Sequence, residues 1–95
     1  MRKSQVNKCE KIAEHYGPAT QEKQAVSELM ELGYVLTRRP SQRKSDWKED
    51  LLDEMADNTI MIQQLRLLYD ISDEAFDKKI TEKLDRQLER IKNGE

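Results

Sequence analysis

The chain has 95 residues, of which 36% are hydrophobic and 38% are charged, and its net charge at pH 7 is −2. This length predicts one domain, residues 1–95, and the small apolar fraction argues against a thick core within a single chain. The near-neutral charge gives no overall case for binding nucleic acid or an anionic membrane. The charge is uneven, because residues 1–45 carry 9 basic and 5 acidic side chains whereas residues 46–95 carry 8 and 14.

A single cysteine, Cys9, excludes an internal disulfide and is typical of a reducing compartment. The first residues lack the apolar core of a signal peptide, and no apolar run approaches membrane-spanning length. We therefore expect a cytoplasmic protein with no membrane association. The hydrophobic spacing predicts an all-α fold, a bundle of about four helices whose core is completed by oligomerisation.

The first predicted helix covers residues 3–15 and ends at the sequence HYGP, since glycine and proline interrupt helical patterns. The second covers residues 21–37, with Thr20 as its N-cap. Its apolar residues extend far enough round the helix to touch more than one neighbour. They are Ala25, Val26, Leu29, Met30, Leu32, Val35 and Leu36.

Two acidic pairs with the same spacing lie on successive predicted helices. Glu28 and Glu31 are on the second, and Glu54 and Asp57 are on the third, residues 47–69, which opens with Asp46 and Glu49 in capping-box spacing. Residues three apart share a helix face, so each pair presents two carboxylates to one side. The later pair shares its face with an apolar stripe: Trp47, Leu51, Met61, Leu65 and Leu68.

Carboxylates among apolar neighbours need a proton, a basic partner or a metal ion, because two like charges about 4 Å apart repel by roughly 4 kcal/mol near a protein surface. An acidic pair on its own is usually a solvated face. Two pairs on adjacent helices, however, can direct four carboxylates to one point. Hard oxygen ligands favour Mg²⁺ or Mn²⁺, and the lack of histidine beside the acids argues against zinc and di-iron.

Two basic regions accompany the acids. The loop TRRPSQRKS, residues 37–45, is either simply solvated, a polyphosphate contact or a nucleic-acid contact, although it lacks interleaved aromatic residues. The fourth predicted helix begins after the cap Ser72 and stops at Asn93-Gly94. It carries an apolar seam and, on another side, a basic stripe that is either a charged surface or a phosphate contact. The stripe consists of Lys79, Lys83, Arg86 and Arg90.

The sequence QEKQAVSELMELGYVL followed by EDLLDEMADNTIMIQQL resembles the all-α nucleoside triphosphate pyrophosphohydrolases of the MazG-like family. That family combines ExxE with a later ExxD, the second often within EEMADxxIM. The resemblance covers roughly residues 20–92, including KLDRQLERI. Two positions depart from the pattern: Ser27 and Asp53 stand where many members have Glu.

The resemblance implies hydrolysis of a nucleoside triphosphate to a monophosphate and pyrophosphate. It also implies Mg²⁺ bound by Glu28, Glu31, Glu54 and Asp57, and assembly as a homodimer or homotetramer with sites near subunit interfaces. Candidate phosphate contacts are Lys83, Arg86, Arg90 and Arg38. Candidate nucleoside contacts are Gln21, Gln24, His15 and Tyr16, the last two of which have packing at a helix end as the alternative role.

Two other functions are compatible with the sequence. A non-catalytic helical interaction or regulatory module that retains the fold predicts no pyrophosphate release. Nucleic-acid binding through residues 38–44 predicts salt-sensitive affinity for DNA or RNA. It is the weaker of the two, because the loop lacks interleaved aromatic residues and no other basic face supports it. The preferred base and sugar, the number of metal ions and the choice between dimer and tetramer do not follow from the sequence.

Overall fold

The computed structural model describes residues 1–94, and within them the fold is all-α with no strand. Three α-helices follow one another: α1, Lys3–Thr37; α2, Trp47–Leu68; and α3, Asp73–Lys92. A short 3₁₀ helix, Pro40–Gln42, lies in the loop between α1 and α2. The prediction of an all-helical chain is confirmed. Among the same residues, no helix combines the length and the apolar character needed to cross a membrane.

Helix α1 unites the first two predicted helices across a kink at Gly17. This residue has φ of 80° and ψ of 169°, outside the helical region, and Pro18 follows it. Glycine adopts positive φ without a Cβ clash, so the chain bends here at little cost. Thr20 lies inside the segment after the kink and does not begin it, so the prediction of Thr20 as an N-cap is wrong. The helix ends at Thr37, as the sequence predicts.

The segment of α1 after the kink packs antiparallel against α2. Three contacts define the register: Tyr69 meets Glu22, Asn58 meets Glu28, and Trp47 meets Val35. In the last of these, the indole Nε1 donates to the carbonyl oxygen of Val35 at 2.9 Å. The buried apolar residues between the helices are Cys9, Ala13, Ala25, Val35 and Met61.

The predicted ends of α3 are confirmed, whereas the predicted cap of α2 is not. Ser72 caps α3 by accepting a hydrogen bond from the Ala75 N–H at 3.1 Å, and Asn93 ends α3 before Gly94 at φ of 79°, so both predictions are confirmed. Asp46 occupies the N-cap position of α2, but its side chain accepts no hydrogen bond there. The capping-box prediction for Asp46 is therefore wrong.

Helix α3 packs along neither α1 nor α2 within residues 1–94. Its first turn is held by Arg66 of α2, whose guanidinium pairs with Asp73 and lies 4.2 Å from the ring centroid of Phe76. Beyond Phe76, every described residue of α3 is exposed. The predicted apolar seam therefore lies open in the single chain at Ile80, Leu84, Leu88 and Ile91.

Candidate metal centre

The antiparallel packing of α1 and α2 brings three carboxylates together. Glu28 of α1 meets Glu54 and Asp57 of α2, and one carboxylate oxygen from each lies within 4.8 Å of the others. Asn58 fixes this arrangement, since its Nδ2 donates to the main-chain oxygens of Glu28 at 2.9 Å and Glu54 at 2.8 Å. One buried carboxamide therefore ties both helices together beside the acids.

Two oxygens of this acidic cluster (Glu28, Glu54 and Asp57) are buried without a partner. Oε2 of Glu28 and Oε2 of Glu54 make no hydrogen bond and are shielded from solvent. The other oxygen of Glu28, Oε1, accepts from Nε2 of Gln24 at 2.8 Å. A buried acceptor without a donor costs about 1–3 kcal/mol, and more when it is charged. These two atoms are therefore the part of the cluster that most requires a ligand.

Burial and mutual repulsion raise the pKa of two of the acids. For Glu54, burial raises the pKa most, followed by the charges of Glu31, Asp57 and Glu28. For Asp57, burial again comes first, followed by the charges of Glu28 and Asp53. In each case the charged form is disfavoured, which a nearby cation would reverse.

No basic side chain compensates the cluster. Within residues 1–94, none of the ion pairs involves an acid of the cluster or Glu31. Arg38, the basic candidate nearest in sequence, instead pairs with Asp50 at 3.4 Å. Of the three usual compensators, a proton and a metal ion remain.

Two clefts flank the cluster. The Glu31 cleft, of about 360 Å³, is lined by Met30, Glu31, Tyr34, Val35, Arg38, Asp50, Asp53 and Glu54. The Gln21 cleft, of about 370 Å³, is lined by Ile12, Tyr16, Thr20, Gln21, Gln24, Glu28, Asp57, Ile60, Met61 and Gln64. The acids thus lie between two spaces that are each large enough for part of a small molecule.

The candidate metal ligands are largely brought together. Three form the cluster, and the fourth, Glu31, is exposed and lies outside the cluster, although its charge contributes to raising the pKa of Glu54. The sequence reading missed the structural role of Asn58. The sequence feature that could have predicted this role is a polar residue four positions after Glu54, on the apolar stripe. A polar side chain at such a buried position is normally hydrogen-bonded.

The candidate nucleoside contacts are mostly on one cleft. Tyr16, Gln21 and Gln24 line the Gln21 cleft, whereas His15 does not. His15 instead packs edge-on against the ring of Tyr16, with the centroids 4.7 Å apart. Gln64, which sequence reasoning did not single out, also lines the cleft and is only 2% exposed.

The candidate phosphate contacts lie in two separate places, one at the Glu31 cleft and three on α3. Arg38 lines the Glu31 cleft, and its guanidinium also lies 5.6 Å from the ring centroid of Tyr34. Lys83, Arg86 and Arg90 are exposed on α3 and line neither cleft. The single chain therefore brings one of the four basic candidates to the acids.

Comparison of the chain with protein-family models, with curated proteins and with solved structures gave no match.

Proposed function

We propose that the protein is a Mg²⁺-dependent nucleoside triphosphate pyrophosphohydrolase, which converts an NTP or dNTP to the monophosphate and pyrophosphate. The observation that carries this proposal is the convergence of Glu28, Glu54 and Asp57 with two buried carboxylate oxygens that have no partner. The ExxE and ExxD spacing resembles that of the MazG-like family, and this resemblance is the reason for proposing a nucleoside triphosphate as the substrate.

The donor set fits a hard divalent cation. All candidate ligand atoms are carboxylate oxygens, which suit Mg²⁺ and, as a substitute, Mn²⁺. Cys9 is buried in the core and His15 packs against Tyr16, so neither belongs to the cluster. A bound cation would also satisfy the two unpartnered oxygens and remove the repulsion that raises the pKa of Glu54.

In this proposal Glu28, Glu54 and Asp57 hold the cation, and Glu31 completes the acidic set from its position beside Glu54. Bound Mg²⁺ supplies positive charge against phosphate oxygens and lowers the pKa of water. Asn58 holds the two helices in register, and Gln24 orients the Glu28 carboxylate through its hydrogen bond. Arg38 offers a guanidinium to a phosphate in the Glu31 cleft.

The proposal includes a homodimer or homotetramer. Support comes from large apolar side chains that are exposed in the single chain on all three helices, among them Leu29, Met30, Leu52, Met55, Leu84 and Leu88. Exposed apolar area on this scale is typical of a protein that associates. Assembly also gives a second copy the opportunity to bring Lys83, Arg86 or Arg90 to the acids of the first.

The test is a pyrophosphate-release screen over normal and modified nucleoside triphosphates, with and without Mg²⁺. We expect at least one substrate to be hydrolysed only in the presence of Mg²⁺. Glu28→Gln should abolish this turnover, whereas Glu10→Gln, at an exposed position of the same helix, should preserve it. A folded Glu28→Gln protein with full Mg²⁺-dependent turnover would contradict the ligand assignment.

The exposed seam of α3 also favours an alternative, a non-catalytic helical module that binds a partner. This alternative predicts no pyrophosphate release from any nucleotide and no increase of the melting temperature with Mg²⁺. The proposed enzyme should instead be stabilised by the cation, since a ligand present at a hundred times its Kd adds about 2.7 kcal/mol.

A further inference from the structure

Gln21 presents a buried polar atom that no group of residues 1–94 satisfies. It lies on the segment of α1 after the kink, its residue is only 3% exposed, and its Oε1 makes no hydrogen bond. It lies on the wall of the Gln21 cleft. A helix face in contact with α2 would ordinarily carry an apolar residue here, as it does four positions later at the buried Ala25. A carboxamide at this position therefore indicates a ligand that donates a hydrogen bond.

The composition of the cleft indicates what kind of ligand that is. Apolar side chains contribute one part of the lining, namely Ile12, Ile60 and Met61. Polar side chains contribute the other, and Gln64 of α2 adds a second carboxamide, also almost fully buried. The ring of Tyr16 is about half exposed at the same cleft and offers a stacking surface. Apolar faces combined with a polar edge match a flat heterocycle that carries N–H groups.

The cleft also adjoins the acidic cluster. Glu28 and Asp57 belong to both, and Gln24 lies in the cleft while donating to Glu28. The Glu31 cleft differs, because Asp50 and Asp53 line it and none of its side chains other than Glu54 has an unpartnered buried atom. A nucleotide with its phosphates at the cluster consequently has one suitable place for its base.

We propose that the Gln21 cleft is the nucleobase subsite and that Gln21 accepts a hydrogen bond from an N–H group on the edge of the base. This inference rests on the proposed function for the identity of the phosphate-bearing substrate. The predicted ligand class is a nucleoside whose base has an edge N–H, with the base beside Gln21 and the 5′ end directed towards Glu28 and Asp57.

The experiment uses uncharged nucleosides, so that binding is measured without Mg²⁺, phosphate or turnover. Adenosine, cytidine, guanosine, uridine and ribose are titrated into the isotope-labelled full chain and followed by NMR. We expect at least one nucleoside to shift the resonances of residues lining the Gln21 cleft, while ribose does not. Gln21→Leu should weaken that nucleoside about tenfold, and Gln87→Leu, at an exposed position of α3, should leave its affinity unchanged.

A second arm needs no variant protein and applies even if Gln21→Leu fails to fold. The nucleoside that binds is compared with its analogue in which every hydrogen on the edge nitrogen is replaced by a methyl group, and the analogue should bind at least about tenfold more weakly to the wild type. Equal binding of the analogue, equal shifts from ribose, or unchanged affinity in folded Gln21→Leu would overturn the inference.

The two proposals fail separately. Mg²⁺-dependent pyrophosphate release without any nucleoside binding in this cleft overturns the base subsite and leaves the enzyme. Nucleoside binding at the Gln21 cleft without pyrophosphate release from any triphosphate supports the subsite and overturns the proposed reaction.

Discussion

Helices α1 and α2 pack against each other and enclose a small core, whereas α3 leaves nearly all of its apolar side exposed. The α1–α2 pair encloses polar groups as well, including Gln21, Asn58 and Gln64. Helix α3 encloses none within the described residues. The difference indicates that the pair can form a polar site within one chain, whereas α3 has no such environment among the described residues and would gain one only in the proposed assembly.

The largest difference between the two regions should appear in turnover. Glu54→Gln or Asp57→Asn on α2 removes a proposed cation ligand, so kcat/KM should fall by about a hundredfold or more. Arg86→Gln on α3 removes one of the proposed phosphate contacts, which would come from a second copy, and should cost about tenfold, mainly in KM. Steady-state pyrophosphate release measures both. An equal and large loss from Arg86→Gln would mean that α3 belongs to the site as fully as α2.

The next effect concerns how α1 and α2 are joined. Asn58→Leu removes the two hydrogen bonds from Nδ2 to the main-chain oxygens of Glu28 and Glu54. The free energy of unfolding should fall by about 2 kcal/mol, which corresponds to roughly 10 °C in the melting temperature. Denaturant unfolding of Asn58→Leu and of the exposed control Asn7→Leu tests this. Equal stability of the two variants would show that the carboxamide contributes nothing to the pairing.

A smaller effect should follow pH in the metal-free protein. The pKa of Glu54 is raised in the folded chain, so the unfolded chain loses its proton first as pH increases. Stability is therefore greatest below the usual pKa of the group and falls as pH rises through the raised pKa. The melting temperature should decrease as pH rises above the usual pKa of a glutamate, and less steeply in Glu54→Gln. Identical slopes for wild type and variant would contradict strong coupling within the cluster.

The smallest effect on the stability of the single chain should come from α3. Leu88→Asn replaces a side chain that is 64% exposed, so the unfolding free energy of the monomer should change by no more than about 0.5 kcal/mol. The same change should lower the mass of the assembly in sedimentation analysis, whereas Glu82→Gln, at an exposed polar position of α3, should not. A wild-type chain that sediments as a monomer at every concentration would contradict the proposed oligomer.

Several features followed directly from residue order. Helical spacing and punctuation predicted the all-α class, the end of α1 at Thr37, the start of α2 at Trp47 and both ends of α3. These features depend on neighbours within a few positions, such as the bond from the Ala75 N–H to Ser72. The acidic spacing similarly predicted that Glu28, Glu54 and Asp57 are the side chains to examine, because i, i+3 pairs must share a helix face.

Other features depended on packing between distant residues. Sequence spacing suggested a cap at Thr20, but the kink at Gly17 placed that residue inside the helix. Neither the bond from Asn58 to the Glu28 carbonyl nor the unpartnered oxygens of Glu28, Glu54 and Gln21 can be read from local pattern. They arise only when the antiparallel register sets which groups face each other and which lose access to water. Sequence thus determined the helices and the acidic pairs, and tertiary packing decided where burial left polar atoms in need of a ligand.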